Sequence, residues 1–157
     1  MDNSSEEEQI EKMADLICLL RQKCALKDLY FVKQVGISSA EYNCLMQFFN
    51  INTIGMKEIG ERLGITPGGV TRIISGLEEQ GIVIRSISTE DRRNIDVDLT
   101  TRGIKIVNEI RQVSLDLHTE IMKQIDPEHR RSVFSAIERL IGAINVWVEG
   151  HKKKQRV

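Results

Sequence analysis

The feature that most constrains the fold is a pair of short helical patterns followed directly by a strand pattern, within residues 56–99. The first helix is predicted over Met56–Leu63, and Gly64 is suited to end it. The second is predicted to begin with Thr66 as its N-cap and Pro67 in the first helical position. The stripe that this second helix is expected to bury lies at helical spacing and consists of Val70, Ile73, Ile74 and Leu77.

The strand pattern begins after Gly81, which is predicted to end the second helix. Residues 82–87 are rich in β-branched side chains, and residues 94–99 alternate between polar and apolar. The turn-prone segment between them, read as "STEDRR" over residues 88–93, carries two adjacent arginines. The pattern predicts a two-stranded hairpin with one face on the core and its tip in solvent.

Helical patterns also flank this central segment. An amphipathic helix is predicted over residues 6–32, and Gly36 breaks it. Ser38 and Glu41 form a capping box at the start of the next helix, which precedes a short extended link at residues 52–55. The side chains that this helix should turn inward are Tyr42, Leu45, Met46, Phe48 and Phe49.

Two further helices are predicted after the hairpin. Thr100 or Thr101 is suited to cap a long one, and Asp126-Pro127-Glu128 has the cap, proline and acidic first turn that open another. The predicted fold class is therefore mainly α with a small β-hairpin wing, a winged helix-turn-helix.

Composition narrows the function classes. The 157 residues suit a single domain, 1-157, and the apolar runs are far shorter than the roughly 18 residues that span a bilayer. The three cysteines have neither disulfide-framework nor metal-ligand spacing. No nucleophile elbow, phosphate loop or dinucleotide fingerprint is present. We expect a cytoplasmic protein that is not an enzyme, binds no metal or cofactor, and has no membrane partner.

The overall charge of the chain does not by itself indicate a nucleic-acid partner. The net charge is −1, and residues 57–105 contain eight basic and eight acidic side chains. Double-stranded DNA is a plausible partner only if the positive side chains are sorted onto one face.

The predicted architecture nevertheless suits DNA. A helix fits the major groove, and a hairpin beside it can reach the neighbouring minor groove. Arginines at a hairpin tip, here Arg92 and Arg93, suit the negative potential of a narrow minor groove. The alternative is that the charged turn is simply solvated.

The segment "MKEIGERLGITPGGVTRIISGLEEQGIVIRSISTEDRRNIDVDLTTRG" resembles the core of the MarR family of bacterial transcription regulators. It includes the Asp-x-Arg of the wing, Asp91 and Arg93, and an "LTxxG" motif that opens the following helix. The resemblance implies a winged helix-turn-helix DNA-binding region at 38-103 and dimerisation helices at 5-35 and 104-150. It also implies a homodimer, typically a repressor, that binds a pseudo-palindromic operator.

Site residues follow from the same resemblance. Arg93 is expected in the minor groove, Asp91 is expected to orient neighbouring arginines, and Arg85 is expected to form a structural pair. Gly68 and Gly69 depart from relatives that more often carry side chains there, so we expect weak base readout from this turn. The expected DNA-binding residues are Thr66, Pro67, Gly68, Gly69, Thr71, Arg72, Ser75, Arg92 and Arg93.

Family members are released from DNA by a small molecule or by oxidation. The effector pocket implied here would be lined by the first, second and fifth helices. Cys18 and Cys24 are the candidate redox residues; Arg21, Lys23 and Lys27 near Cys24 would favour its thiolate. The alternative is a buried structural role, expected for Cys18 and more strongly for Cys44.

A rival function is a winged helix used for protein interaction without DNA binding. Fold alone does not distinguish the two functions. The rival predicts an apolar or acidic outer face on the third and fourth helices.

Overall fold

The computed structural model describes residues 3–89 and 91–154. A 3₁₀ turn, Met46–Phe48, follows the helix named α2 below. The predicted mainly α fold with a β wing is confirmed. In chain order the elements are α1 (Asn3–Val35), α2 (Ser39–Leu45), β1 (Thr53–Gly55), α3 (Met56–Leu63), α4 (Pro67–Glu79), β2 (Val83–Ile87), β3 (Ile95–Leu99), α5 (Thr101–Lys123) and α6 (Arg130–Lys154).

Local capping chemistry sets the start of α2 and the ends of α3 and α4 where the sequence predicts them. The Ser38 hydroxyl accepts a hydrogen bond from the Glu41 amide at 3.2 Å, and the Glu41 carboxylate accepts one from the Ser38 amide at 2.7 Å. This reciprocal pair is the predicted capping box. Gly64 and Gly81 both have φ of 66°, the left-handed conformation in which glycine carries no steric penalty. They follow α3 and α4 respectively.

The prediction of an extended link at residues 52–55 is incomplete, because Thr53–Gly55 forms a strand. β1 pairs antiparallel with β3, so the sheet has three strands in the order β1-β3-β2. The Thr53 hydroxyl donates to the Asp98 carboxylate at 2.6 Å across 45 residues of sequence. A strand of three residues is too short to show an alternating pattern, which explains why it was missed.

The prediction that Asp126-Pro127-Glu128 opens a helix is wrong in its boundary. These residues form a turn in which the His129 amide donates to the Asp126 carbonyl at 2.9 Å, and α6 begins at Arg130. The Arg130 guanidinium donates to the carbonyls of Ile125 and Met122, both at 3.1 Å. Arg130 thus adds hydrogen bonds to backbone carbonyls at and just after the end of α5.

The helix predicted after Ser38 is also shorter than its apolar pattern suggests. α2 ends at Leu45 and the chain continues as the 3₁₀ turn. Tyr42, Leu45 and Phe48 are buried as expected. Met46 and Phe49 are only half-buried, since the tighter 3₁₀ turn displaces them from the buried stripe.

The chain divides into two units, Met1–Ser114 and Leu115–Val157. The first contains a core drawn from α2, α3, α4, the sheet and the start of α5, with β2 and β3 contributing Val83, Val97 and Leu99. The second contains the end of α5 and α6. Many of its large apolar side chains are exposed: Leu115, Ile121, Phe134, Ile137, Ile141, Ile144, Val146 and Trp147.

Within residues 3–89 and 91–154, no helix combines the length and apolarity needed to span a membrane.

Candidate nucleic-acid interface

The candidate interface begins at the N-terminus of α4. The Thr66 hydroxyl accepts a hydrogen bond from the Gly69 amide at 3.3 Å, and Pro67 occupies the first helical turn. This is the predicted N-cap and proline arrangement. Val70, Ile74 and Leu77 are buried and Ile73 is half-buried, which fixes the rotation of α4 about its axis. The opposite face of the helix is therefore presented outward.

The outward face carries most of the α4 residues that the sequence singled out. Thr66, Pro67, Gly68, Thr71 and Arg72 are exposed. A Cβ at Gly68 would meet nothing within 4 Å, so the space above this turn is open.

Two predicted residues of α4 lie partly inside the protein. Gly69 is half-buried, and a Cβ there would lie 3.5 Å from the Thr66 hydroxyl oxygen. Ser75 is also half-buried, and its hydroxyl accepts a hydrogen bond from Arg85 at 2.7 Å. Ser75, which was predicted to bind DNA, is therefore already engaged by Arg85 in the single chain.

Arg85 joins β2 to α4 through four hydrogen bonds. Its guanidinium donates to the Glu78 carboxylate at 2.6 Å, to the Ser75 hydroxyl and to the Thr71 carbonyl at 3.2 Å. Its backbone amide donates to the other oxygen of Glu78 at 3.2 Å. Because the Arg85 fork is rigid and planar, it holds α4 and the hairpin in one mutual orientation. The geometry matches the structural pairing expected for Arg85.

The hairpin tip is organised by Asp91. Its carboxylate accepts hydrogen bonds from the Arg93 amide at 3.0 Å and from the Arg93 guanidinium at 3.1 and 3.2 Å. These bonds from Arg93 hold the pKa of the Asp91 carboxyl below its ordinary value. The Asn94 amide donates to the Asp91 carbonyl at 2.8 Å and closes the turn. Glu90, part of the predicted tip, lies outside the described residues.

The two tip arginines are both available to a partner. The Arg93 side chain is 90% exposed even though it contacts Asp91. Arg92 is exposed and makes no ion pair with any residue in 3–89 or 91–154, and the same holds for Arg72 on α4. The exposed edge formed by the first half of α4 and the hairpin tip therefore carries three arginines.

Much of the acidic charge in this segment is engaged elsewhere. Glu58 pairs with Arg62 and Glu61 pairs with Lys57, both along α3. Glu78 pairs with Arg85, and Asp98 accepts hydrogen bonds from two hydroxyl groups on neighbouring strands. Four of the eight acidic side chains of residues 57–105 are thus engaged in contacts within the protein, away from Arg72 and Arg92.

A cavity of about 230 Å³ lies in the first unit, away from this edge. The Arg111 guanidinium donates to the Asn50 side chain at 2.7 Å at its wall, and Asn50 has a φ of 71°. Of the expected lining by the first, second and fifth helices, α5 contributes, and Phe48 and Phe49 come from the segment that the sequence assigned to the second helix; no described residue of α1 lines the cavity. The lining residues are Phe48, Phe49, Asn50, Ile51, Asn52, Leu99, Ile104, Val107, Asn108 and Arg111.

The exposure of the three cysteines differs in part from the expectation. Cys18 is exposed, so the prediction of a buried Cys18 is wrong for the single chain, and Cys24 is exposed too. The neighbouring Leu16, Leu19 and Leu20 are themselves exposed, which explains the error. Cys44 is buried as predicted. Burial, followed by the negative charge of Glu41, raises the pKa of the Cys44 thiol to about 12.

Comparison with known proteins gives a consistent result. Residues 37–95 match the model of the MarR family. A segment of 90 residues is 30% identical to the HTH-type transcriptional regulator SarZ of Staphylococcus epidermidis and covers 57% of this chain and 61% of SarZ. The chain thus spans under two thirds of the length of that relative.

Solved structures match over more of the chain. A MarR transcriptional regulator from Methanosarcina mazei Go1 superposes with a TM-score of 0.74 at 22% identity, covering 87% of this chain and 99% of that one. A MarR mutant from E. coli, solved in complex with operator DNA, gives a TM-score of 0.70 at 25% identity, with 89% of this chain and 99% of that one covered.

Proposed function

We propose that the chain is a member of the MarR family and acts as a cytoplasmic transcriptional regulator, without enzymatic activity, that binds double-stranded DNA. The observation that carries the proposal is the exposed edge of α4 and the hairpin tip. Arg72, Arg92 and Arg93 lie on this edge, and α4 presents an open first turn beside them. One of the structural neighbours was solved with operator DNA.

In this proposal α4 enters the major groove and the hairpin reaches the adjacent minor groove. The N-terminus of α4 carries amide groups and a positive dipole end that favour phosphate. The absence of a Cβ at Gly68 lets the backbone come close to the duplex. Thr71 and Arg72 are the side chains of this helix placed to meet base edges, and Arg93 is the minor-groove residue.

The regulator acts as a homodimer on a pseudo-palindromic operator. Support comes from α1, whose large apolar side chains are exposed in the single chain, an arrangement typical of an interaction surface. The helices at 5-35 and 104-150 would form the dimerisation region, around the DNA-binding region 38-103. The exposed apolar residues of α1 are Ile10, Met13, Leu16, Leu19, Leu20, Leu26, Leu29 and Tyr30.

The regulator is proposed to be a repressor that a small molecule releases from DNA. The cavity beside Arg111 combines a guanidinium, side-chain amides and two phenylalanine rings. Such a lining suits a small aromatic anion. Cys18 and Cys24 are exposed alternatives for an oxidant signal.

The outer faces of α3 and α4 do not favour the rival protein-interaction module. α3 presents Lys57, Glu58, Glu61 and Arg62, and α4 presents Arg72 and Glu79, so both outer faces carry mixed charge. A protein-docking face of the predicted kind would be apolar or acidic, so DNA remains the better-supported partner.

The experiment is a selection of sheared DNA from the source genome by purified full-length protein, followed by sequencing. We expect enrichment of fragments that share two inverted half-sites, with sedimentation giving twice the mass of the 17.9 kDa chain. A double variant, Arg72→Ala with Arg93→Ala, serves as the matched control and should lose the enrichment. Equal recovery of all sequences by both proteins would contradict sequence-specific regulation.

A further inference from the structure

Two large apolar side chains are exposed where the hairpin approaches its tip. Ile87 on β2 and Ile95 on β3 are directly opposite each other in the antiparallel register. Ile87 is 69% exposed and Ile95 is 45% exposed. Directly paired strand residues have Cβ atoms about 5 Å apart, so the two side chains form one continuous apolar patch.

The patch lies on the sheet face that α4 covers. Side chains alternate along a strand, so Ile87 shares a face with Arg85 and Ile95 shares one with Val97. Val97 is buried, and Arg85 reaches α4 through Ser75 and Glu78. The isoleucine pair therefore lies on the same sheet face, closer to the hairpin tip, where α4 no longer covers the sheet.

The opposite face of the same hairpin has a different character. Ile84 is 52% exposed there, and it stands opposite Asp98 in the register. Ser86, on the same face, donates from its hydroxyl to the Asp98 carboxylate at 2.6 Å. An acidic residue engaged on this face disfavours contact with a polyanion.

The residues around the isoleucine pair indicate which kind of molecule contacts it. Exposed Arg92 and Arg93 lie at the adjoining tip, and exposed Thr71 and Arg72 lie on the α4 side. These positive charges complement a polyanion. DNA also presents apolar sugar surface between its phosphates, and proteins that enter the minor groove frequently place apolar side chains against it.

We propose that Ile87 and Ile95 form an apolar contact with the deoxyribose rings of the DNA strand that passes between α4 and the hairpin. The proposal rests on the DNA-binding function proposed above. In this role the isoleucines exclude water beside the Arg93 contact and add affinity without adding charge. They therefore define a sequence-tolerant part of the interface, next to the residues that read bases.

The test compares the double variant Ile87→Thr with Ile95→Thr against the matched control Ile84→Thr. Threonine keeps the β-branched shape that suits a strand but removes apolar surface. Each full-length protein is titrated by fluorescence anisotropy against a labelled duplex of the DNA upstream of its coding region, over a salt series. Far-ultraviolet circular dichroism melts verify folding.

We expect the double variant to bind roughly tenfold more weakly, as partial loss of two buried apolar groups implies. The salt slope should be unchanged, because no phosphate contact is lost. Ile84→Thr should bind as the wild type does. Equal affinity of the double variant and wild type would overturn the inference while leaving the proposed function standing.

Two further outcomes would also count against the proposed contact of Ile87 and Ile95 with DNA. A change in sedimentation mass that accompanies the double variant would assign the isoleucines to a contact between copies of the chain. Failure of the wild type to bind the upstream duplex or random duplexes would overturn both the inference and the proposed function.

Discussion

Arg85 on β2 and Glu78 on α4 form an ion pair of 2.6 Å that ties the hairpin to the helix beside it. Ser75 and the Thr71 carbonyl receive further hydrogen bonds from the same guanidinium. The two elements that would enter neighbouring grooves of a duplex are therefore held together before any DNA is bound. Pre-arranged contacts of this kind lower the ordering cost of binding.

Replacing Arg85 should weaken both folding and DNA binding. Arg85→Met leaves half-buried Glu78 with only the hydrogen bond from the amide of residue 85, so we expect a loss of about 1–3 kcal/mol in the free energy of unfolding. Denaturant titration measures the loss. The control is Arg62→Met, which removes an exposed pair with Glu58 along α3 and should cost under about 1 kcal/mol. Equal effects of the two variants would show that the Arg85 network does not support the fold.

Gly103 is a position where a side chain does not fit. A Cβ there would lie 2.1 Å from the Ile82 carbonyl oxygen, and that carbonyl is already held by Thr100. We expect Gly103→Ala to lower the free energy of unfolding by about 1–3 kcal/mol through overpacking. Gly142→Ala is the control, since a Cβ on α6 there meets nothing within 4 Å and should be neutral or stabilising. An unchanged melting temperature for Gly103→Ala would contradict the close packing.

Alkaline conditions should destabilise the first unit. Burial raises the pKa of Cys44 from 9.0 to about 12, and burial also raises the pKa of Tyr42 from 10.0 to about 12. At a pH above the ordinary pKa values, 9.0 for Cys44 and 10.0 for Tyr42, the two groups lose their protons in the unfolded chain but retain them in the folded chain. The free energy of unfolding should thus be unaffected below about pH 8 and fall progressively toward pH 12.

Urea titrations across this pH range measure the dependence. Cys44→Ala should make the fall between about pH 9 and pH 10 shallower, because only Tyr42 then remains to titrate. A free energy of unfolding that stays constant to pH 11 would contradict the burial of both groups.

The variant Gly68→Ala tests how closely the backbone of the first turn of α4 approaches DNA. Gly68→Ala should raise the free energy of unfolding by up to about 1 kcal/mol, because alanine is the better helix former and the space is open. The added methyl should nevertheless weaken DNA binding by obstructing the approach of the backbone. Thermal melts and anisotropy titrations measure the two effects. Strong base specificity opposite Gly68 and Gly69 in a base-by-base operator scan would contradict the weak readout expected of this turn.

Local chemistry explains why much of the fold was predictable. Gly64, Thr66 and Pro67 act on their immediate neighbours, so the ends of α3 and α4 follow from sequence alone. β1 does not, because its partner Asp98 is 45 residues away and its three residues carry no periodic signal. The start of α6 was misplaced since Pro127 suits a turn as well as a helix start.

The candidate site was predictable to a similar degree. The Asp91–Arg93 contact spans two residues and follows from the motif. The engagement of Ser75 by Arg85 depends on how β2 packs over α4, which no local pattern reveals. The exposure of Cys18 likewise depends on whether another element covers α1, and its apolar neighbours wrongly indicated burial.

DNA binding is tested most directly by equilibrium titration of wild type and Arg93→Ala against the labelled upstream duplex over a salt series. We expect tight, salt-sensitive binding by wild type, with weaker binding and a shallower salt slope for the variant. Arg139→Ala, which removes an exposed arginine from α6, should match wild type. Binding that is unaffected by Arg93→Ala would contradict the minor-groove role, and an absence of binding by wild type at low salt would contradict the central claim.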